Sequence, residues 1–156
     1  KQVNELQRYR SEFFGRLMQI LGDNPQVRIK GDRFVLQAEL LFASGSATLG
    51  DEGGRHLQKL AATLKELSRQ IPPEIQWILR IDGHTDRIPI HNSNFASNWE
   101  LSTARAVSVV RFLAAQGIDE SRMAATGFSR FHPIDPANTP EAYRKNRRIE
   151  IKLTSR

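Results

Sequence analysis

The apolar residues of this chain switch repeatedly between two periods, and that alternation constrains the fold more tightly than any other sequence feature. Ile75, Trp77, Leu79 and Ile81 recur at every second position, as do Ile149, Ile151 and Leu153, so each run turns one face of a strand toward a core. Between these runs the spacing changes to three and four. Leu57, Leu60, Ala61, Leu64 and Leu67 form one helical stripe, and Ala106, Val107, Val110, Leu113 and Ala114 a second. Ile71-Pro72-Pro73 ends the first helix; Ser97 and Glu100 have capping-box spacing at the start of the second, which Gly117 stops. Upstream, residues 27–30 and 33–42 read as a hairpin around Gly31-Asp32, with Phe34, Leu36, Ala38 and Leu40 on one face. Downstream, residues 123–126 form a short strand, and Thr139-Pro140-Glu141 supplies the N-cap, first-turn proline and early acid of a last short helix. The predicted order is two strands, then helix, strand, helix, strand, helix, strand. With right-handed crossovers this is a two-layer α/β sandwich on a mixed sheet.

An extra helix precedes this pattern. Val3, Leu6, Phe13, Leu17, Ile20 and Leu21 recur at helical spacing, and the Gly22 to Pro25 stretch stops it. The chain therefore divides into an amphipathic N-terminal helix over 1–25 and a domain over 26–156. The helix either covers the sheet or serves as a linker or pairing helix behind a membrane anchor. Its broad apolar face, Phe13, Phe14, Leu17, Ile20 and Leu21, is expected to dock on its own domain and to help pair two copies. A chain of 156 residues without cysteine needs no disulfide staple, since one domain of this size buries about 70% of its unfolded surface. No apolar run approaches the roughly 18 residues of a membrane span. The first residue is a lysine, so the chain reads as a fragment whose signal or anchor would lie upstream.

The net charge of +6 raises nucleic-acid binding. The densest basic cluster, Arg144, Lys145, Arg147 and Arg148, lacks the interleaved aromatics of a base-stacking platform, and a basic surface equally suits an acidic polymer such as wall peptides with free carboxylates. Catalysis is the opposing class. His84, His91 and His132 with Asp86, Ser102 and Asp135 contain the residue types of a triad or a metal site. However, His84 and Asp86 lie two apart at a strand end, and no nucleophile elbow, HExxH spacing or glycine-rich phosphate loop is present. Neither enzyme activity nor a cofactor is expected.

The chemistry gathers after the strand that ends near residue 83. The polar stretch over 83–96 is long for a connection in a compact domain. Asp86 stands at its start. Arg105 is two helical turns beyond Asn98 and near the same azimuth, so it faces the same loop. Either Asp86 and Arg105 pair with each other, or they stand apart and grip a zwitterion, the carboxylate taking an ammonium and the guanidinium taking a carboxylate in a two-pronged contact.

Short motifs favour the second reading. Gly83-His84-Thr85-Asp86, then Asn98-Trp99-Glu100-Leu101-Ser102-Thr103-Ala104-Arg105-Ala106, Gly117-Ile118, Gly127-Phe128, Pro133 and Asn146-Arg147-Arg148-Ile149-Glu150-Ile151 together resemble the OmpA/MotB family. The resemblance covers residues 41–153. It implies a βαβαβαβ domain that binds peptidoglycan noncovalently, with Asp86 and Arg105 at the positions that hold the amine and carboxylate of diaminopimelate. It further implies that Asn98 and Leu101 line the site, that Thr85 and Ser44 lie on segments approaching the ligand through backbone groups, and that Arg147 opens the Asn-Arg-Arg signature. Helix start, core packing, turns and a surface ion pair are the purely structural roles open to those residues.

Two departures point toward the MotB-type branch. Phe42-Ala43-Ser44-Gly45-Ser46 lacks the aspartate that outer-membrane lipoproteins of the family carry after the phenylalanine, and the loop from Arg87 to Ser97 is longer than theirs. That branch implies a periplasmic domain anchored in the inner membrane, a homodimer and a MotA-like membrane partner, with no nucleic acid. A wall-acting hydrolase and a nucleic-acid-binding domain are the competing functions.

Overall fold

The structure, a computed structural model, describes residues 2–155, with side chains from Glu5 onward. Val3 of the predicted stripe thus has its side chain outside the described residues. The elements are α1 (Gln2–Leu21), β1 (Val27–Lys30), β2 (Arg33–Gln37), α2 (Ala38–Leu41), α3 (Asp51–Ser68), β3 (Trp77–His84), α4 (Asn98–Ala115), a 3-10 turn (Glu120–Arg122), β4 (Met123–Gly127), α5 (Pro140–Asn146) and β5 (Arg148–Ser155). One five-stranded sheet has the order β1-β2-β5-β3-β4. Only β3 and β4 pair in parallel; the other neighbours are antiparallel. This is the predicted mixed-sheet α/β architecture.

Strand alternation separates the two faces of the sheet. Leu79, Ile81, Ile149, Ile151 and Leu153 are fully buried in the core shared with the helices. Their neighbours Arg80, Asp82, His84, Arg148, Glu150 and Lys152 point to the other face, where register sets Asp82 opposite Glu150 and His84 opposite Arg148.

The hairpin is shorter than expected. Residues 38–42 do not continue the strand: β2 stops at Gln37, and Ala38–Leu41 form a helical turn. Leu40, Leu41 and Phe42 are three consecutive apolar residues, all buried, and a strand could send only alternate ones inward. The turn solves this. It is held by Ala38 N donating to Arg147 O at 2.9 Å and Phe42 N donating to Ala38 O at 2.8 Å.

In α1, Leu6, Tyr9, Phe13, Phe14, Leu17 and Leu21 are buried in the common core, whereas Ile20 is 47% exposed. Burying a large apolar side chain stabilises by about 1.5–3 kcal/mol, so six of them rival the roughly 5–15 kcal/mol net stability of a domain. The apolar face of this helix is therefore occupied within its own fold.

Helix α4 carries three of the seven candidate site residues, Asn98, Leu101 and Arg105, and two glycines position it. A Cβ on Gly83 would lie 2.1 Å from Ser102 O, and one on Gly127 would lie 2.0 Å from Thr103 Oγ1. Their missing side chains let α4 rest directly on the ends of β3 and β4. This contact also rotates the predicted stripe: Ser102, Arg105, Ala106, Val109 and Leu113 are buried, while Val107, Val110 and Ala114 are only partly so. The predicted caps are present. Ser97 Oγ accepts from Trp99 N at 3.1 Å, and Thr139 Oγ1 accepts from Ala142 N at 3.1 Å.

Candidate functional site

A cleft of about 380 Å³ opens where the end of β3, the start of α4, the α2 turn and the 87–97 loop meet. All seven residues singled out in the sequence line it: Ser44, Thr85, Asp86, Asn98, Leu101, Arg105 and Arg147. Phe42 and Leu101 form an apolar wall, and Ile88, Pro89 and Ile90 from the long loop form the outer lip. Asn98 ties lip to helix, its Nδ2 donating to Ile88 O at 3.0 Å. Thr85 is buried, with Oγ1 donating to Asp86 O at 2.8 Å and its N–H donating to Ser129 O.

Asp86 and Arg105 are both buried, yet among the described residues no ion pair joins them. Asp86 pairs instead with Arg147, whose Nη1 donates to Oδ2 at 2.7 Å, while Oδ1 accepts from Ile88 N at 3.0 Å. A carboxylate has about four acceptor sites, so these two contacts orient it and leave capacity facing the cleft. Arg147 also reaches Glu39 Oε1 at 2.7 Å. Burial presses on its guanidinium, but the hydrogen bonds it donates to the Asp86 and Glu39 carboxylates, with their charges, outweigh that and hold its pKa above the usual value. Arg147 thus has both roles considered from sequence, an ion pair and a place in the cleft wall.

Arg105 is held by neutral groups. Nε donates to Ser46 O at 2.8 Å and Nη2 to Ala43 O at 3.3 Å, with the guanidinium 5.1 Å from the Phe42 ring centroid. Burial pulls its pKa down to about 10 against the opposing charge of Glu39, so it is cationic at neutral pH. A buried cation without a carboxylate partner is costly unless one arrives, and Arg105 lies in the wall of an open cleft. Sequence reasoning missed Glu39 and the lip residues as lining. Glu39 is brought in by the α2 turn, which the strand assignment had extended over.

The histidine chemistry lies elsewhere. His84 is stacked on Phe128, ring centroids 4.9 Å apart, with His132 edge-on, on the polar face of the sheet, and does not line the cleft that holds Asp86. Donor atoms of Asp82, His84 and Glu150 come within 4.8 Å of one another. Arg80 occupies Asp82, and Arg33 and Arg148 occupy Glu150, so the carboxylates serve ion pairs and three nearby cations oppose a metal ion. Only the register of β3 against β5 brings these groups together, so no local sequence pattern announced the cluster.

Both His84 ring nitrogens are buried without a hydrogen-bond partner among the described residues. Burial, reinforced by Arg148 and only partly opposed by Glu150, pulls the imidazole down to about 3. The unfolded chain takes up a proton near pH 6.5 that the folded ring refuses. The neutral ring's contribution is therefore complete above about pH 6.5 and drains away as pH falls toward about 3. Replacing His84 with Phe, which keeps a ring against Phe128, is expected to remove on the order of 3 kcal/mol of that loss by pH 4, at about 1.36 kcal/mol per pH unit. Thermal melts of both proteins between pH 3.5 and 7 measure this; parallel curves would contradict it.

A model of the OmpA family matches residues 41–147. Motility protein B of Bacillus subtilis (strain 168) is 34% identical over 128 residues, which is 81% of this chain and 46% of that protein. The probable lipoprotein YiaD of Escherichia coli (strain K12) is 33% identical over 135 residues, 85% of this chain and 57% of that one. Among solved structures, the cell wall anchor of the T6SS from Pseudomonas aeruginosa superposes with a TM-score of 0.76 at 30% identity, covering 90% of this chain and 96% of that chain. A MotB-like protein from Desulfovibrio vulgaris gives 0.78 at 26% identity, covering 99% and 94%. The chain spans about half the length of the curated relatives it matches.

Proposed function

Since the chain belongs to the OmpA family, we propose that it binds peptidoglycan noncovalently through the diaminopimelate of the stem peptide and anchors a longer envelope protein to the wall. The reading rests on one observation above all: Asp86 and Arg105 are buried in the walls of one cleft without neutralising each other. An amino acid end bearing both an ammonium and a carboxylate would satisfy both. Asn98 and Thr85 brace the Asp86 side, Leu101 packs the apolar wall, Ser44 edges the cleft beside Arg105, and Arg147 orients the carboxylate. Residues 26–156 carry this activity in our reading, with α1 closing the core. The domain is periplasmic, and the parent is a MotB-type stator subunit beside a MotA-like partner in this proposal; the likeness to Motility protein B supports the stator reading, and that to the T6SS wall anchor supports wall anchoring alone. None of the described helices is long and apolar enough to cross a membrane.

The test is retention on purified diaminopimelate-type wall. Asp86→Ala is expected to lose roughly 30-fold or more in affinity, because truncating one partner of a desolvated charge pair costs about 2–5 kcal/mol. Arg147→Ala should lose only a few-fold, since it acts by orienting Asp86. Equal retention of Asp86→Ala and wild type would end the reading, and soluble fragments released from the wall by wild-type protein would favour a hydrolase.

The homodimer belongs, in this proposal, to the longer parent. With α1 facing inward and Ile20 the exposed large apolar side chain on its described part, this chain alone is expected to sediment as a monomer. A dimer at micromolar concentration would return the pairing role to α1.

A further inference from the structure

We propose that Trp99, Phe131 and Arg130 form a platform that stacks sugar rings of the glycan strand, a second wall contact beside the peptide cleft. This rests on the wall-binding reading above. Trp99 and Phe131 are 50% and 52% exposed, and their ring centroids are 5.4 Å apart. The Arg130 guanidinium lies over the Phe131 ring at 4.6 Å. The two rings thus sit side by side with about half of each open to water, an apolar surface that the fold itself leaves uncovered.

Local geometry holds the platform in place. Phe131 follows Ser129, which has a positive φ of 56°, a conformation that costs a non-glycine residue about 1–3 kcal/mol unless its surroundings enforce it. The surroundings here do so: Ser129 is buried, its N–H donates to Ser102 Oγ at 3.1 Å and its carbonyl accepts from Thr85 N at 3.0 Å. The turn that presents Phe131 is thus fastened to the residue beside Asp86 and to α4. Trp99 comes from the first turn of α4, directly after Asn98 of the cleft.

Size identifies the occupant. Two aromatic side chains of about 150–250 Å² each, half exposed, offer roughly 200 Å², far below the roughly 800 Å² per partner of a stable protein interface. That area matches one or two sugar rings, whose C–H faces meet the electron-rich aromatic faces while Arg130 donates to hydroxyl or acetamido oxygens. Because the stem peptide is joined to the glycan, a peptide held in the cleft brings sugars within a few extended residues, about 3.3–3.6 Å each.

Three probes separate the contacts: glycan strands stripped of peptide by an amidase, the free diaminopimelate-containing stem peptide, and intact wall. Wild-type protein should bind stripped strands, and Trp99→Ala and Phe131→Ala should each weaken that by about three- to tenfold with unchanged affinity for free peptide and unchanged melting. Trp99→Phe should keep most of the binding and Trp99→Leu should not. The proposal is overturned if wild type ignores stripped strands, if the alanine variants hold them equally well, or if leucine serves as well as tryptophan, which would indicate an apolar protein contact. Binding to glycan without binding to peptide would uphold the platform and remove the diaminopimelate reading; the converse would do the opposite.

Discussion

Wall with diaminopimelate in its stem peptides is expected to retain the protein about 30-fold or more better than wall with lysine at that position. Lysine keeps the amine that Asp86 would take but lacks the carboxylate that Arg105 would take. Arg105 would then remain a buried cation whose fixed partners are the carbonyls of Ser46 and Ala43. Leaving one charge of a desolvated pair unmatched costs about 2–5 kcal/mol, and each 1.4 kcal/mol is about tenfold. This comparison needs no mutation, so a change in folding cannot mimic the result. Arg105→Ala should fall by a comparable factor, and Arg105→Lys nearly as far, because an ammonium cannot reproduce a two-pronged contact. Since Arg105 also tethers the 43–46 segment, both variants require a melting curve beside the pull-down. Equal retention on the two walls would reduce Asp86 and Arg105 to structural residues.

Gly83→Ala is expected to be the most damaging single-methyl change in the domain. The new Cβ would sit 2.1 Å from the Ser102 carbonyl oxygen and 2.9 Å from its carbon, both backbone atoms of a helix that cannot rotate aside. Relief requires α4 to move away from β3, opening contacts of Ala106, Val109 and Leu113, which are fully buried. Overpacking of this kind costs about 1–3 kcal/mol and more where backbone is the obstacle. The same displacement would carry Asn98, Leu101 and Arg105 out of register with Asp86, so wall binding should fall along with the melting temperature. A variant that melts like wild type would mean that α4 is not wedged on the sheet as described. Gly54→Ala is the control: its Cβ meets only the Phe112 ring, at 3.6 Å, and it should be tolerated.

Strands β1, β3 and β5, the spans of α3 and α4 and both predicted caps were legible because each depends on residues close in sequence, through periodicity or a side chain bonding a nearby N–H. The α2 turn was not. Ala38 and Leu40 fit strand alternation locally, and only the need to bury Leu40, Leu41 and Phe42 together, with Arg147 O ready to accept from Ala38 N, favours the helical turn. The stripe of α4 was misjudged for a similar reason, since its inward face is set by Gly83 and Gly127 on two strands.

For the candidate site, part of the cleft lining was readable in the sequence and the pairing of its charges was not. The family resemblance pointed to seven of the fourteen residues that line the cleft, and spacing alone could put Arg105 near the loop that follows Asp86. Spacing could not decide whether the two charges meet. The tertiary structure decides it, because Arg147 arrives from the junction between α5 and β5, 61 positions away, to take Asp86, while Arg105 is drawn to the carbonyls of the 43–46 segment. A short-range pattern specifies strands, helices and caps because its partners lie within one or two turns of chain. The partner of a buried charge is whichever group the packed layers bring within about 3 Å, and that follows from how α4, β5 and the α2 turn settle against one another.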